Sequence, residues 1–173
     1  MRFTVSPDWK HNQLLQLVLV WFLVFVGLLW VTNGLLYFSQ MGLTPASVVR
    51  HYLGSEGEFL PPRSFKVLLE ITHFHLFAMG ILVLTMTHLV LFVPLSNRVK
   101  AWIVSLAFAS ALADESAGWL IRYVSPAFAY LKIGGFVVLQ ATLAFMVGAV
   151  LWALMTAQPN DYQSGTPDDD EEF

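Results

Sequence analysis

The sequence contains no cysteine. That excludes disulfides, thiolate metal sites, iron–sulfur clusters and covalently attached c-type haem within this chain. Charge is nearly as scarce, with Asp, Glu, Lys and Arg supplying 12% of 173 residues against 57% hydrophobic. A soluble globule of this size needs more polar surface than that, and no basic face is offered to nucleic acid. The net charge of −3 belongs to the tail, where Asp168, Asp169, Asp170, Glu171 and Glu172 stand together, and the body is near neutral to basic. No alternating strand pattern appears, so backbone crossing a membrane must satisfy its hydrogen bonds within helices.

What the chain has in abundance is long apolar runs. Four of them, at about 14–38, 67–94, 101–124 and 128–155, reach the roughly 20 residues that cross a bilayer. The expected fold is all-α: an integral membrane four-helix bundle over 13–156, with a polar lead at 1–12 and a disordered acidic tail at 157–173. The first run is too long for a signal-peptide core and lacks a small-residue cleavage site, so it reads as a retained helix. Trp9 and Lys10 are interfacial anchors by type. Between the first two runs, Thr44-Pro45 reads as a helix start and Gly54 as its stop, giving a short amphipathic helix through Val48, Val49 and Tyr52 along the membrane surface. Basic residues before the first helix, and Arg98 and Lys100 in the short turn between the second and third, favour cytoplasmic termini in a bacterial inner membrane. The amphipathic helix would then face the periplasm.

The second run holds four ionisable groups, Glu70, His73, His75 and His88, which include three of the five histidines. Such groups are expensive in hydrocarbon, so each is a functional candidate. At 100° per residue, Glu70, His73 and His88 fall within roughly a 60° sector, with Gly80 on the same face and His75 pointing away. His73 and His88 lie roughly 22 Å apart along the axis, one near each side of the membrane. This is the arrangement by which one helix can ligate two stacked b-type haems, glycine giving the macrocycle room. His73, His75 and His88 are therefore the candidate haem-iron ligands. The remaining runs contain no histidine; second ligands would be His11, His51, a methionine such as Met79 or Met86, a partner subunit, or a second copy in a homo-oligomer. The same histidines also serve as interhelical hydrogen-bonding groups without any cofactor.

A second pattern is independent of haem. Asp114 and Glu115 on the third helix, with Arg122 two turns on, and Lys132 on the fourth fall at about the depth of Glu70, His73 and His75. Carboxylates beside imidazoles relay protons, close a quinol pocket or bind a divalent metal. A buried salt-bridge network is the purely structural account. In the first of these accounts Glu70, Asp114 and Glu115 handle protons, while Arg122 and Lys132 balance charge or hold a haem propionate.

The run Thr72-His73-Phe74-His75-Leu76-Phe77, Asp114, Trp119-Leu120-Ile121-Arg122-Tyr123 and Pro126-Ala127-Phe128-Ala129 resembles a poorly characterised group of proteobacterial four-helix membrane proteins. Some members of that group carry an inserted c-type haem domain in the first periplasmic loop, which implies respiratory electron transfer. This chain, lacking cysteine, departs from that pattern, so a c-type haem would come from a partner. The expectation is a membrane anchor or electron-transfer subunit of a respiratory redox complex, handling quinone or b-type haem and exchanging electrons with a periplasmic c-type cytochrome. The alternative is a non-redox structural or assembly subunit, or a small metal or proton transporter.

Overall fold

The structure, a computed structural model, describes residues 13–156. Expectations for the N-terminal lead, including His11, and for the acidic tail fall outside the described residues. The architecture is all-α, with five helices in the order α1 (Gln13–Gln40), α2 (Pro45–Leu53), α3 (Phe65–Val90), α4 (Asn97–Tyr123) and α5 (Ala129–Met155). Single 3-10 turns at Glu56–Glu58 and Pro126–Phe128 lead into α3 and α5.

Three segments, Gln13–Gln40, Phe65–Val90 and Pro126–Met155, are long and apolar enough to cross a membrane. Their outward faces carry Leu14, Phe25, Phe74 and Phe77 largely uncovered, as a lipid-facing surface requires. The fourth long helix, α4, has 27 residues but is not among these segments. Asp114, Glu115 and a run of small residues lower its apolar content.

Local sequence sets the ends of these helices. Thr44 accepts a hydrogen bond from the Ser47 N–H at the start of α2, with Pro45 at its first position. Gly54 ends α2 at φ 78°, where a Cβ would collide with the Leu60 carbonyl oxygen. Ser64 and Ser96 cap α3 and α4 in the same way as Thr44 caps α2. Helix α3 stops at Val90 rather than running to Pro94, since the residue before a proline is pushed out of helical conformation. The Lys100 ammonium covers the freed Leu91 carbonyl at 2.6 Å.

Two apolar clusters divide the bundle. One joins α3, α4 and α5 through Val83, Met86, Val90, Ile103, Ala107, Leu143 and Met146. The other gathers Tyr37, Val48, Tyr52, Leu68, Ile121 and Phe136 beneath α2, which lies as a lid over that end. Helix α1 is peripheral: its buried residues are Leu23, Val26 and Tyr37. It is fastened to α5 by a reciprocal pair, Trp30 Nε1 donating to the Gln140 carbonyl at 3.0 Å and Gln140 Nε2 to the Trp30 carbonyl at 3.4 Å.

Helices α4 and α5 form the most extensively packed pair. They meet closest at Gly135, where an added Cβ would stand 2.8 Å from the Asp114 backbone nitrogen and 3.1 Å from its Cα. Neither atom can move without moving α4, so Gly135→Ala should destabilise the protein by about 1–3 kcal/mol, as overpacking does. Gly134, whose Cβ would meet nothing within 4 Å, is the internal control: Gly134→Ala should be neutral or slightly stabilising. Thermal unfolding of both variants in detergent checks the contrast.

Candidate functional site

Under the α2 lid, two polar chains converge on one cavity. The first runs between α3 and α4. Trp119 Nε1 donates to Thr72 Oγ1 at 2.8 Å, Thr72 in turn hydrogen-bonds the Glu115 carboxylate, and Glu115 Oε2 lies 3.1 Å from His75 Nδ1. Thr72 and His75 are three residues apart on α3, Glu115 and Trp119 four apart on α4. Each pair stacks on one helix face, and the antiparallel faces meet rung against rung. Because Trp119 can only donate and Thr72 passes the bond on, the chain has one direction and fixes the carboxylate against the imidazole.

The second chain runs between α4 and α5 and reaches α2. Lys132, buried on α5, sets its ammonium 2.9 Å from Asp114 Oδ1 and donates to the Asp114 carbonyl at 3.1 Å. Tyr52 on α2 hydrogen-bonds the same ammonium. The tyrosine ring fits only because Gly118 is bare: a Cβ there would stand 2.8 Å from Tyr52 Cε1. Asp114 and Glu115 are adjacent, hence about 100° apart round α4, and so serve different helices.

The cavity between these chains holds about 370 Å³ and is lined by both, with Trp119, Tyr37 and Phe136 as aromatic wall and His51 and Arg63 towards α2. Tyr37 is only 6% exposed, its ring stacked on Phe136 at 3.7 Å between centroids. Its hydroxyl has no hydrogen-bond partner among the described residues, whereas Asp114 Oδ1 is held by the Lys132 ammonium. A buried hydroxyl is rarely left so, and a polar group occupying the cavity would satisfy it.

On α2, outside the membrane-spanning segments, burial holds the His51 imidazole down at about 4, with the Arg63 and Lys132 charges adding and a hydrogen bond with the Gln40 backbone opposing. Burial also raises the Tyr52 hydroxyl, against the pull of Lys132, so it remains a donor.

The sequence-derived candidates separate accordingly. His75, expected to point away from the Glu70–His73–His88 face, does so, and for that reason meets Glu115. Asp114, Glu115 and Lys132 share the cavity with it. Glu70 also borders the cavity but lies exposed, 3.8 Å from Lys66 in a surface pair that contributes little. His73 and His88 are exposed, each edge-on to a neighbouring ring, Phe74 and Phe92. Gly80 has open space where its Cβ would stand. Arg122 is turned from the site: it donates to the Arg63 carbonyl at 3.1 Å and packs on the Tyr123 ring. Among the described residues no three His, Cys, Asp or Glu side chains gather where they could hold a metal ion, so His73, His75 and His88 do not surround a common point. Thr72, Trp119, Tyr37 and Tyr52 join the site although none of them was a site candidate in the sequence, where Thr72 and Trp119 stood only in the run of resemblance and Tyr52 only on the amphipathic helix. The Thr72–His75 and Glu115–Trp119 spacings carried the signal for the first two.

Two outcomes follow. Lys132→Met leaves Asp114 buried without its cation and should cost about 3–5 kcal/mol, whereas Asp114→Leu combined with Lys132→Met should recover most of it; unfolding in detergent measures both. For His51 the sign is set by its depressed value: as pH falls, the unfolded chain takes the proton first, near the ordinary 6.5, and the folded chain only near 4. Stability should therefore fall between those pH values and level off below them, and His51→Gln should flatten that slope in pH-dependent melting.

No curated protein and no solved structure matches the chain. One family profile does, that of the transmembrane helical domain Aq_1264_TM, over residues 42–161. The matched stretch takes in α2 to α5 and hence all of the cavity wall except the α1 residues and Met41. The chain is a membrane protein and belongs to the Aq_1264_TM family of transmembrane helical domains.

Proposed function

We propose that this protein is an electron-transfer subunit of a bacterial respiratory complex and that the cavity beneath α2 is its quinol site. The observation that carries this reading is the meeting of an imidazole–carboxylate pair, His75–Glu115 at 3.1 Å, with the unpartnered Tyr37 hydroxyl in one aromatic-walled space. At about 370 Å³ the cavity lies within the size range of small-molecule sites. Quinol oxidation releases two protons and two electrons. With Nδ1 held by Glu115, His75 has Nε2 left to accept a hydroxyl proton, and the carboxylate stabilises the imidazolium that results. Tyr37 and Lys132 supply donors for the carbonyls of the quinone product, and the Trp119 and Phe136 rings cover its faces.

In this reading all four long helices cross the inner membrane, α4 carried by its neutralised carboxylates, with termini in the cytoplasm and α2 towards the periplasm. The electrons go singly to a c-type cytochrome there, since the chain has no cysteine to hold such a haem itself. A b-type haem would use the outward His73 and His88, whose second ligands would have to come from another subunit or a second copy. The competing reading, a structural subunit or a small metal or proton transporter, draws on the Asp114–Lys132 pair, which is sufficient as packing.

In the purified complex, His75→Ala should lower quinol-dependent reduction of the cytochrome by about 10²-fold or more while subunit assembly is kept. Undiminished turnover in that variant rejects the quinol site. A dithionite-reduced spectrum without a b-type band rejects the haem and leaves the quinol site standing.

A further inference from the structure

We infer that His51 is the proton relay between the cavity beneath α2 and the aqueous surface on that side, an inference that rests on the quinol reading above. A second cavity, of about 490 Å³, opens beside the first between α2, the loop after it and the start of α3. Gln40, His51 and Arg63 line both, so these three residues stand where the site adjoins the second cavity, the vestibule. The vestibule's other walls include Arg50, Glu58 and Ser64, polar groups that admit water. On the inner side these three residues face His75 and Glu115 across the first cavity. Of the three only His51 can both take and give a proton near neutral pH.

The two charges that act most on His51, Arg63 and Lys132, both disfavour a resting positive charge, while Glu70, Asp114 and Glu115 line the same cavity further off, each beside a cationic or imidazole partner. Arg63 approaches from the start of α3 and Lys132 from α5; on its own helix Arg50 is paired to Glu58 at 3.0 Å, and the Tyr52 ring stands edge-on at 4.9 Å. The hydrogen bond with the Gln40 backbone comes from α1. The imidazole, held down at about 4, therefore rests neutral and does not retain a proton it receives. A quinol hydroxyl gives its proton to His75 Nε2, the electron goes to the one-electron haem acceptor, and the proton passes through the cavity to the bare ring nitrogen of His51; the other ring N–H then leaves the Gln40 backbone and yields its proton to vestibule water, and tautomer exchange with that water resets the ring. A second round releases the quinone.

The test uses the purified complex with duroquinol as donor and duroquinone binding read separately. His51→Gln should lower turnover at least tenfold, steepen its loss as pH falls, keep the duroquinone dissociation constant within twofold, and regain activity when imidazole is added. Unchanged turnover and pH profile overturn the relay, and so does a parallel loss of duroquinone binding, which would make His51 a binding residue. Where the variant fails to assemble, the wild-type complex in vesicles decides: proton release should appear on the α2 side in step with turnover, and release on the opposite side overturns the inference. If the wild-type complex neither binds duroquinone nor oxidises duroquinol, the quinol reading itself falls.

Discussion

The contact on which the rest depends is the crossing of α4 and α5 at Asp114, Gly135 and Lys132. An ammonium and a carboxylate in an apolar bundle are each costly alone; brought to 2.9 Å they make it tolerable for α4 to carry polar residues midway along its length. The approach is possible because Gly135 has no side chain. Once Lys132 is fixed there, Tyr52 has its partner, and with Val48 it holds α2 across the end of the bundle. The lid, and hence the cavity beneath it, follows from that ion pair.

Two consecutive carboxylates on α4 thereby take different work. Asp114 turns to α5 and is neutralised by a lysine that is 9% exposed, an arrangement suited to holding helices together. Glu115 turns to α3 and meets an imidazole whose side chain is 49% exposed, reachable from the cavity. A permanent cation beside Asp114 makes that pair a fixed element; a titratable imidazole beside Glu115 makes the other one able to change charge. The division explains how one short stretch of α4 can give the fold a fixed ion pair and the cavity a titratable one.

Much of this was legible in the residues. The ends of α2 were written in Thr44, Pro45 and Gly54, because capping is local chemistry. Helical depth put Asp114, Glu115 and Lys132 at one level, because axial rise needs no tertiary knowledge. Rotation was a different matter. The helical wheel separated His75 from His73 and His88 correctly as an angle, but not which of those faces α4 would meet. That choice is made by Trp119 reaching Thr72 and Glu115 reaching His75, contacts between residues more than 35 positions apart in sequence. Tyr37 and Tyr52 were invisible for a related reason: their hydroxyls acquire meaning only once α1 and α2 are folded against α5.

The outward histidines bear on what the chain is for. His73 and His88 stand on faces of α3 that no other described helix covers, among Phe74, Phe77 and Leu84. A neutral imidazole facing lipid loses hydrogen bonds it would keep in water, so a helix selected only to span a membrane gains nothing from two of them. The loss is offset if that face of α3 is covered by another polypeptide or by a cofactor held between the two. Gly80, open to its surroundings midway between them, would let such a neighbour approach closely. The inward face of α3 thus lines the cavity with Thr72 and His75, while the outward face leaves two imidazoles and a bare glycine without cover from the described helices.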